Sequence, residues 1–152
     1  MGQAYGARCP ACGEYELLWL GCGMQHSSVQ MGLKNQAIRG KLGHALQRIV
    51  AEHPNGQFDG EYAVYKCVCG SWTVERKLDY YIPNQEGQML GHSFGAWPVW
   101  VATCIWRKKR KCPRCGKMMH AIPEHEVWER KLACVKCGAP MEVDTRATIC
   151  WD

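Results

Sequence analysis

Cys112-Pro-Arg-Cys115-Gly116 is followed, eighteen residues on, by Cys134-Val-Lys-Cys137-Gly138. Two Cys-x-x-Cys pairs at that separation can place four thiolates at the corners of a tetrahedron, each sulfur about 2.3 Å from a zinc ion. The glycine behind each pair lets the backbone curl so that amides face the sulfurs. The eighteen intervening residues suffice for a strand, a turn and a returning strand. The stretch therefore predicts a closed, structural site made by Cys112, Cys115, Cys134 and Cys137.

The same signature opens the chain as Cys9-Pro-Ala-Cys12-Gly13. Its partner is harder to find. Cys67-Val-Cys69-Gly70 has one residue between its cysteines instead of two, but it stands between strand-like runs at 61–66 and 71–78. That setting predicts a second site from Cys9, Cys12, Cys67 and Cys69. The competing set, Cys9, Cys12, Cys22 and His26, is closer in sequence and chemically acceptable. It lacks the strand on the far side of Cys22.

The pairs Cys112-Pro-Arg-Cys115-Gly and Cys134-Val-Lys-Cys137-Gly resemble the two knuckles of the zinc-ribbon superfamily, over residues 111–143. The resemblance implies a fold and a metal and names no partner, because ribbons serve many functions. It leads to a small, zinc-stabilised α+β chain holding two structural Zn2+ ions. Two zinc-ribbon β modules are expected, the first interrupted by one amphipathic helix. The expected order is an N-terminal ribbon with its insertion over 1–82, a connecting segment with an apolar strand over 83–106, and a C-terminal ribbon over 107–152.

The inserted helix is read from Leu33, Ala37, Ile38, Leu42, Ala45, Leu46, Ile49 and Val50, which recur at three- and four-residue steps. Ser27 and Ser28 are candidate caps and His53-Pro54-Asn55-Gly56 a stop, while Gly40 and Gly43 weaken the middle by about 1 kcal/mol each. Further on, 97–106 is rich in aromatic and β-branched residues. It predicts a strand buried on both faces, with its tryptophans in the core. Cys22, Cys104 and Cys150 are left over and read as ordinary apolar side chains.

Charge narrows the function. Arg107, Lys108, Lys109, Arg110, Lys111, Arg114 and Lys117 put seven cations into eleven residues with no acid among them. The whole chain carries +5, so the remainder carries −2. One basic block, running into the first of the two C-terminal pairs, is what a nucleic-acid backbone needs, DNA or RNA. The alternative is a protein-docking module of a nucleoprotein complex, anchored by Trp97, Trp100, Trp128 and Trp151.

Enzymatic roles are not expected. Pairs followed at once by glycine lack the helix N-terminus that activates a redox thiol. Four sulfurs leave no open metal position for water. His120, Glu124, His125 and Glu126 do not form a metal-binding helix motif, and no phosphate loop or nucleophile elbow points to a small-molecule substrate. Eleven cysteines, an odd number, without an apolar leader point to a reducing, cytoplasmic setting. The longest apolar run, 94–106, is too short to cross a bilayer.

Overall fold

Short alternating runs separated by turn residues dominate the chain outside 26–52, and in the computed structural model they become strands. Residues 2–23, 25–90, 97–129 and 132–151 are described, with only the backbone given for His26, Ala147, Thr148 and Trp151. In chain order the elements are β1 (Gly2–Arg8), β2 (Tyr15–Leu20), α1 (His26–Ile38), α2 (His44–Glu52), β3 (Gln57–Asp59), β4 (Tyr62–Lys66) and β5 (Trp72–Arg76). There follow β6 (Asp79–Pro83), β7 (Ala102–Trp106), β8 (Arg110–Lys111), β9 (Met118–Ala121), α3 (Glu124–Trp128) and β10 (Glu142–Trp151).

Two units result, and neither is continuous in sequence. The first gathers Met1–Gly23, Tyr62–Arg76 and Lys109–Asp152; the second gathers Met24–Glu61 and Lys77–Lys108. This division differs from the three successive segments suggested by the order of the motifs. The cause is strand pairing across the length of the chain, since β1 pairs with β10 as well as with β2.

In the first unit β1 is the middle strand of the sheet β10-β1-β2, and β4 lies inside the sheet β5-β4-β9-β8. Period-two alternation decides which side chains enter the core. Tyr5 and Ala7 on β1, and Leu18 and Leu20 on β2, are buried with Val64, Val127, Leu132 and Met141. Tyr15, Leu17 and Trp19 stand on the opposite face and are exposed. A second cluster joins Ala63, Tyr65 and Met119 to Cys67 and Cys112.

The expected hairpin between Cys115 and Cys134 is not formed. β9 leaves the first pair and pairs with β4, the backbone then bonding onward from Ile122 N–H to the Val64 carbonyl. Pro123 starts α3 instead of a returning strand. A proline without an amide suits that position, and Glu124 and Glu126 in the first turn suit the positive helix end. The strand that would have returned appears only after Cys137, as β10, and is taken by β1.

In the second unit the single predicted helix is two. Gly40 (φ 73°) and Gly43 (φ 100°) adopt left-handed conformations between α1 and α2, so the apolar stripe is broken at the residues that weakened it. Ser27 and Ser28 fall inside α1, whose start has no side-chain cap. Leu33 and Ala37 of α1, Leu46 and Val50 of α2, and Phe58 and Tyr80 of the sheet β3-β6-β7 form the core.

The apolar stretch 97–106 also departs from expectation. Only Ala102–Trp106 is a strand, and it is the edge of its sheet rather than a strand buried on both faces. Trp97 is buried against Tyr81, with ring centroids 5.3 Å apart, while Val99 and Trp100 sit on an exposed turn, 83% and 75% accessible.

Candidate metal centres

All eight cysteines of the four pairs come together, but in a different partition from the one expected. Cys9 and Cys12 meet Cys134 and Cys137, while Cys67 and Cys69 meet Cys112 and Cys115. The pairings of Cys112 and Cys115 with Cys134 and Cys137, and of Cys9 and Cys12 with Cys67 and Cys69, are thus corrected. The partition is nested, the outer pairs of the sequence enclosing the inner ones. Cys22 is buried and belongs to neither group. Only the backbone is described for His26.

Distances match a tetrahedral ion. Cys9 Sγ lies 3.5 Å from Cys137 Sγ, and Cys12 Sγ lies 3.6 Å from Cys134 Sγ. In the inner group Cys67 to Cys115 is 3.4 Å and Cys69 to Cys112 is 3.6 Å. Four sulfurs about 2.3 Å from one centre would be about 3.8 Å apart, whereas a disulfide requires about 2.05 Å. Every sulfur of a group is within 4.8 Å of the others. The donor set therefore fits a metal ion and not a pair of disulfides.

Each pair is built alike. The first cysteine donates its amide to a carbonyl beyond the second: Cys9 to Glu14, Cys112 to Lys117 and Cys134 to Ala139, all at 2.8 Å. The glycine amide returns to the first cysteine's carbonyl, from Gly13, Gly116 and Gly138. The Cys-x-Cys pair repeats this one residue tighter, Cys67 to Ser71 and Gly70 to Cys67. All four glycines have φ between 72° and 89°. In each pair the first sulfur-bearing residue is buried and the second lies nearer the surface.

Without a cation, four thiols this close cannot all ionise. The amides of Cys12 and Ala11 pull Cys9 down to about 7. The Ser71 hydroxyl, 3.3 Å away, and the Ser71 amide pull Cys69 down to about 6. At Cys12 the Glu14 amide acts the same way, but burial and the neighbouring sulfurs outweigh it and push the thiol up to about 12. A divalent ion removes that conflict, and its binding becomes folding free energy. In closed sulfur sets such an ion would have a cross-linking role, joining β1 and β2 to the start of β10 in one case and β4 and β5 to β8 and β9 in the other.

The seven predicted cations are not equivalent. Lys108, Lys109, Lys111, Arg114 and Lys117 are exposed. Arg107 is ion-paired, its Nε 2.8 Å from Asp79 Oδ2. Arg110 is only 6% accessible and is a packing residue. Its guanidinium lies 3.9 Å above the Tyr65 ring, donates to Glu75 Oε2 at 2.9 Å and also bonds the Arg76 carbonyl. Strand alternation would have hinted at this, because Lys111 faces out and Arg110, one residue earlier, faces in. His120, Glu124 and His125 are exposed, and neither they nor Glu126 belong to the two cysteine groups.

Among the described residues, no helix is long and apolar enough to cross a membrane. No family model matches the chain, and neither a curated protein nor a solved structure matches it.

Proposed function

We propose that this is a non-enzymatic protein of a reducing, cytoplasmic environment, holding two structural Zn2+ ions and binding a nucleic-acid backbone through Lys109, Lys111, Arg114 and Lys117. The zinc assignment rests on four-sulfur donor sets at tetrahedral spacing, a geometry thiolates form with this ion. The observation that carries the binding reading is the position of these four exposed cations. Lys109 immediately precedes β8, Lys111 lies on it, and Arg114 and Lys117 belong to the turn around Cys112 and Cys115, which a metal in the inner sulfur group would fix. Charges held on a stapled turn lose little freedom when a phosphate arrives. Arg110, locked against Tyr65 and Glu75, supplies support and no contact.

A fluorescence-anisotropy titration on single- and double-stranded DNA and RNA, at two salt concentrations, tests it. Wild type should bind with an affinity that falls steeply with salt, and each cation removed should lower the logarithmic slope by about 0.7–0.9. Lys109→Glu, Lys111→Glu and Lys117→Glu together should abolish binding while both metals stay bound. No binding by wild type at low salt ends this reading. The docking alternative would then lead, supported by the exposed Val99–Trp100 turn of the second unit.

A further inference from the structure

We propose that the cavity between α1 and the start of β3 binds a small organic carboxylate, its anionic head on the Lys34 ammonium and its apolar body along Met31. The inference stands apart from the nucleic-acid reading, and every residue it uses lies in the second unit.

The cavity follows from helix periodicity. Ser27, Gln30, Met31 and Lys34 are spaced by three and four residues, so α1 offers them on one face. Gly56, Gln57 and Phe58 form the other side, and the hollow measures about 360 Å³, the size of a small-ligand site. Gln30 and Phe58 are buried and form the inner end, where Gln30 Nε2 donates to the Phe58 carbonyl at 2.7 Å. Met31 (64% accessible) and Ser27 are exposed and form the mouth.

The polar end is rigid. Lys34 Nζ donates to the Gly56 carbonyl at 3.3 Å and to the Pro54 carbonyl. Tyr80, fully buried, holds that turn from behind. Its hydroxyl donates to the His53 carbonyl at 2.8 Å, and a Cβ on Gly56 would come within 2.6 Å of its ring. The two carbonyls are therefore fixed, and the ammonium with them. An ammonium carries three N–H donors, so the turn engages two and leaves the third for a group in the cavity that Lys34 lines.

Charge selects the ligand. Among the described residues, Lys34 is the one charged side chain on the cavity wall, and no carboxylate pairs with it. Burial alone lowers its pKa from the usual 10.5. A half-buried cation held on neutral acceptors lacks one negative charge. A single carboxylate supplies it, whereas a phosphate dianion would bring a second charge with no cation to meet it. Met31, unbranched and adaptable, suits an apolar body of variable shape.

Octanoate is the probe, titrated into the full, metal-loaded chain and followed by the Lys34 Nζ and Met31 methyl resonances. It should bind saturably, move both signals and raise the Lys34 pKa, because an opposite charge favours the ammonium. Octanamide, similar in shape but neutral, should bind about tenfold more weakly. Lys34→Met should erase that preference. Met31→Glu, a change at an exposed position, should weaken octanoate about tenfold through like-charge repulsion. It decides the matter if Lys34→Met fails to fold once α1 loses its tie to the turn. Absence of saturable octanoate binding overturns the proposal, as does equal affinity for octanoate and octanamide. The same holds for a preference kept in folded Lys34→Met, for undiminished affinity in Met31→Glu, or for binding that leaves the Lys34 pKa where it was.

Discussion

Cys9 and Cys137 stand 128 positions apart in the chain, with their sulfurs 3.5 Å apart. The same group holds Cys12 and Cys134. An ion there would tie the first hairpin to the last strand, and the β1–β10 pairing leads to it. The nested arrangement yields a stoichiometric test. Cys9→Ser with Cys134→Ser should cost one of two zinc ions, because both residues serve one site. Cys112→Ser with Cys134→Ser should cost both. Elemental analysis of the two double variants distinguishes nested from successive sites, for successive sites would give the reverse result.

Replacing Arg110 with alanine should cost about 2 kcal/mol in urea unfolding. The substitution removes a guanidinium stacked on Tyr65 and bonded to Glu75 and to a backbone carbonyl. Glu75 keeps contact with water, so the loss stays below that of a fully buried pair. Lys109→Ala and Lys111→Ala should each change stability by less than about 0.5 kcal/mol. The order reverses for nucleic-acid affinity, where the two lysines should matter and Arg110 should not.

Gly116→Ala tests the turn behind Cys115. Nothing lies within 4 Å of the added methyl group, so space is not the issue. The cost comes from φ of 72°, where an L-residue loses about 1–2 kcal/mol. The variant should retain both metals and unfold at a lower midpoint. An unchanged midpoint would mean that the turn relaxes without penalty.

Asp79 gives the second unit a pH dependence. Burial pushes its carboxyl above the usual 3.8, against the pull of Arg107, and Oδ1 is buried without a hydrogen bond. For an acid raised on folding, the unfolded chain loses its proton first, so stability falls as pH rises through the window from 3.8 upward. The penalty is complete above the folded value. Lowering the pH into that window should therefore stabilise wild type relative to Asp79→Asn. Exchange of the β6 amides in both proteins reads the difference, and parallel pH profiles would refute it.

Much of the chemistry was local and therefore legible. Cys-x-x-Cys-Gly is a complete device within five residues, because the turn, the amides and the glycine conformation are set by neighbours. The eight cysteines, the break-prone Gly40 and Gly43 and the isolated basic block were all visible in this way. Which pair meets which was not. Four nearly identical turns can be joined in more than one way at similar local cost. The choice falls to strand pairing between β1 and β10, whose partners are separated by most of the chain, and between β4 and β9, whose partners are also distant in sequence. The same holds for Arg110. Its neighbours in sequence make it one cation among seven, and only the sheet that turns it onto Tyr65 and Glu75 makes it part of the core. Sequence determined the sulfur chemistry; tertiary pairing decided its geometry, because contacts between distant segments are fixed by the shared burial of whole faces and not by any single residue.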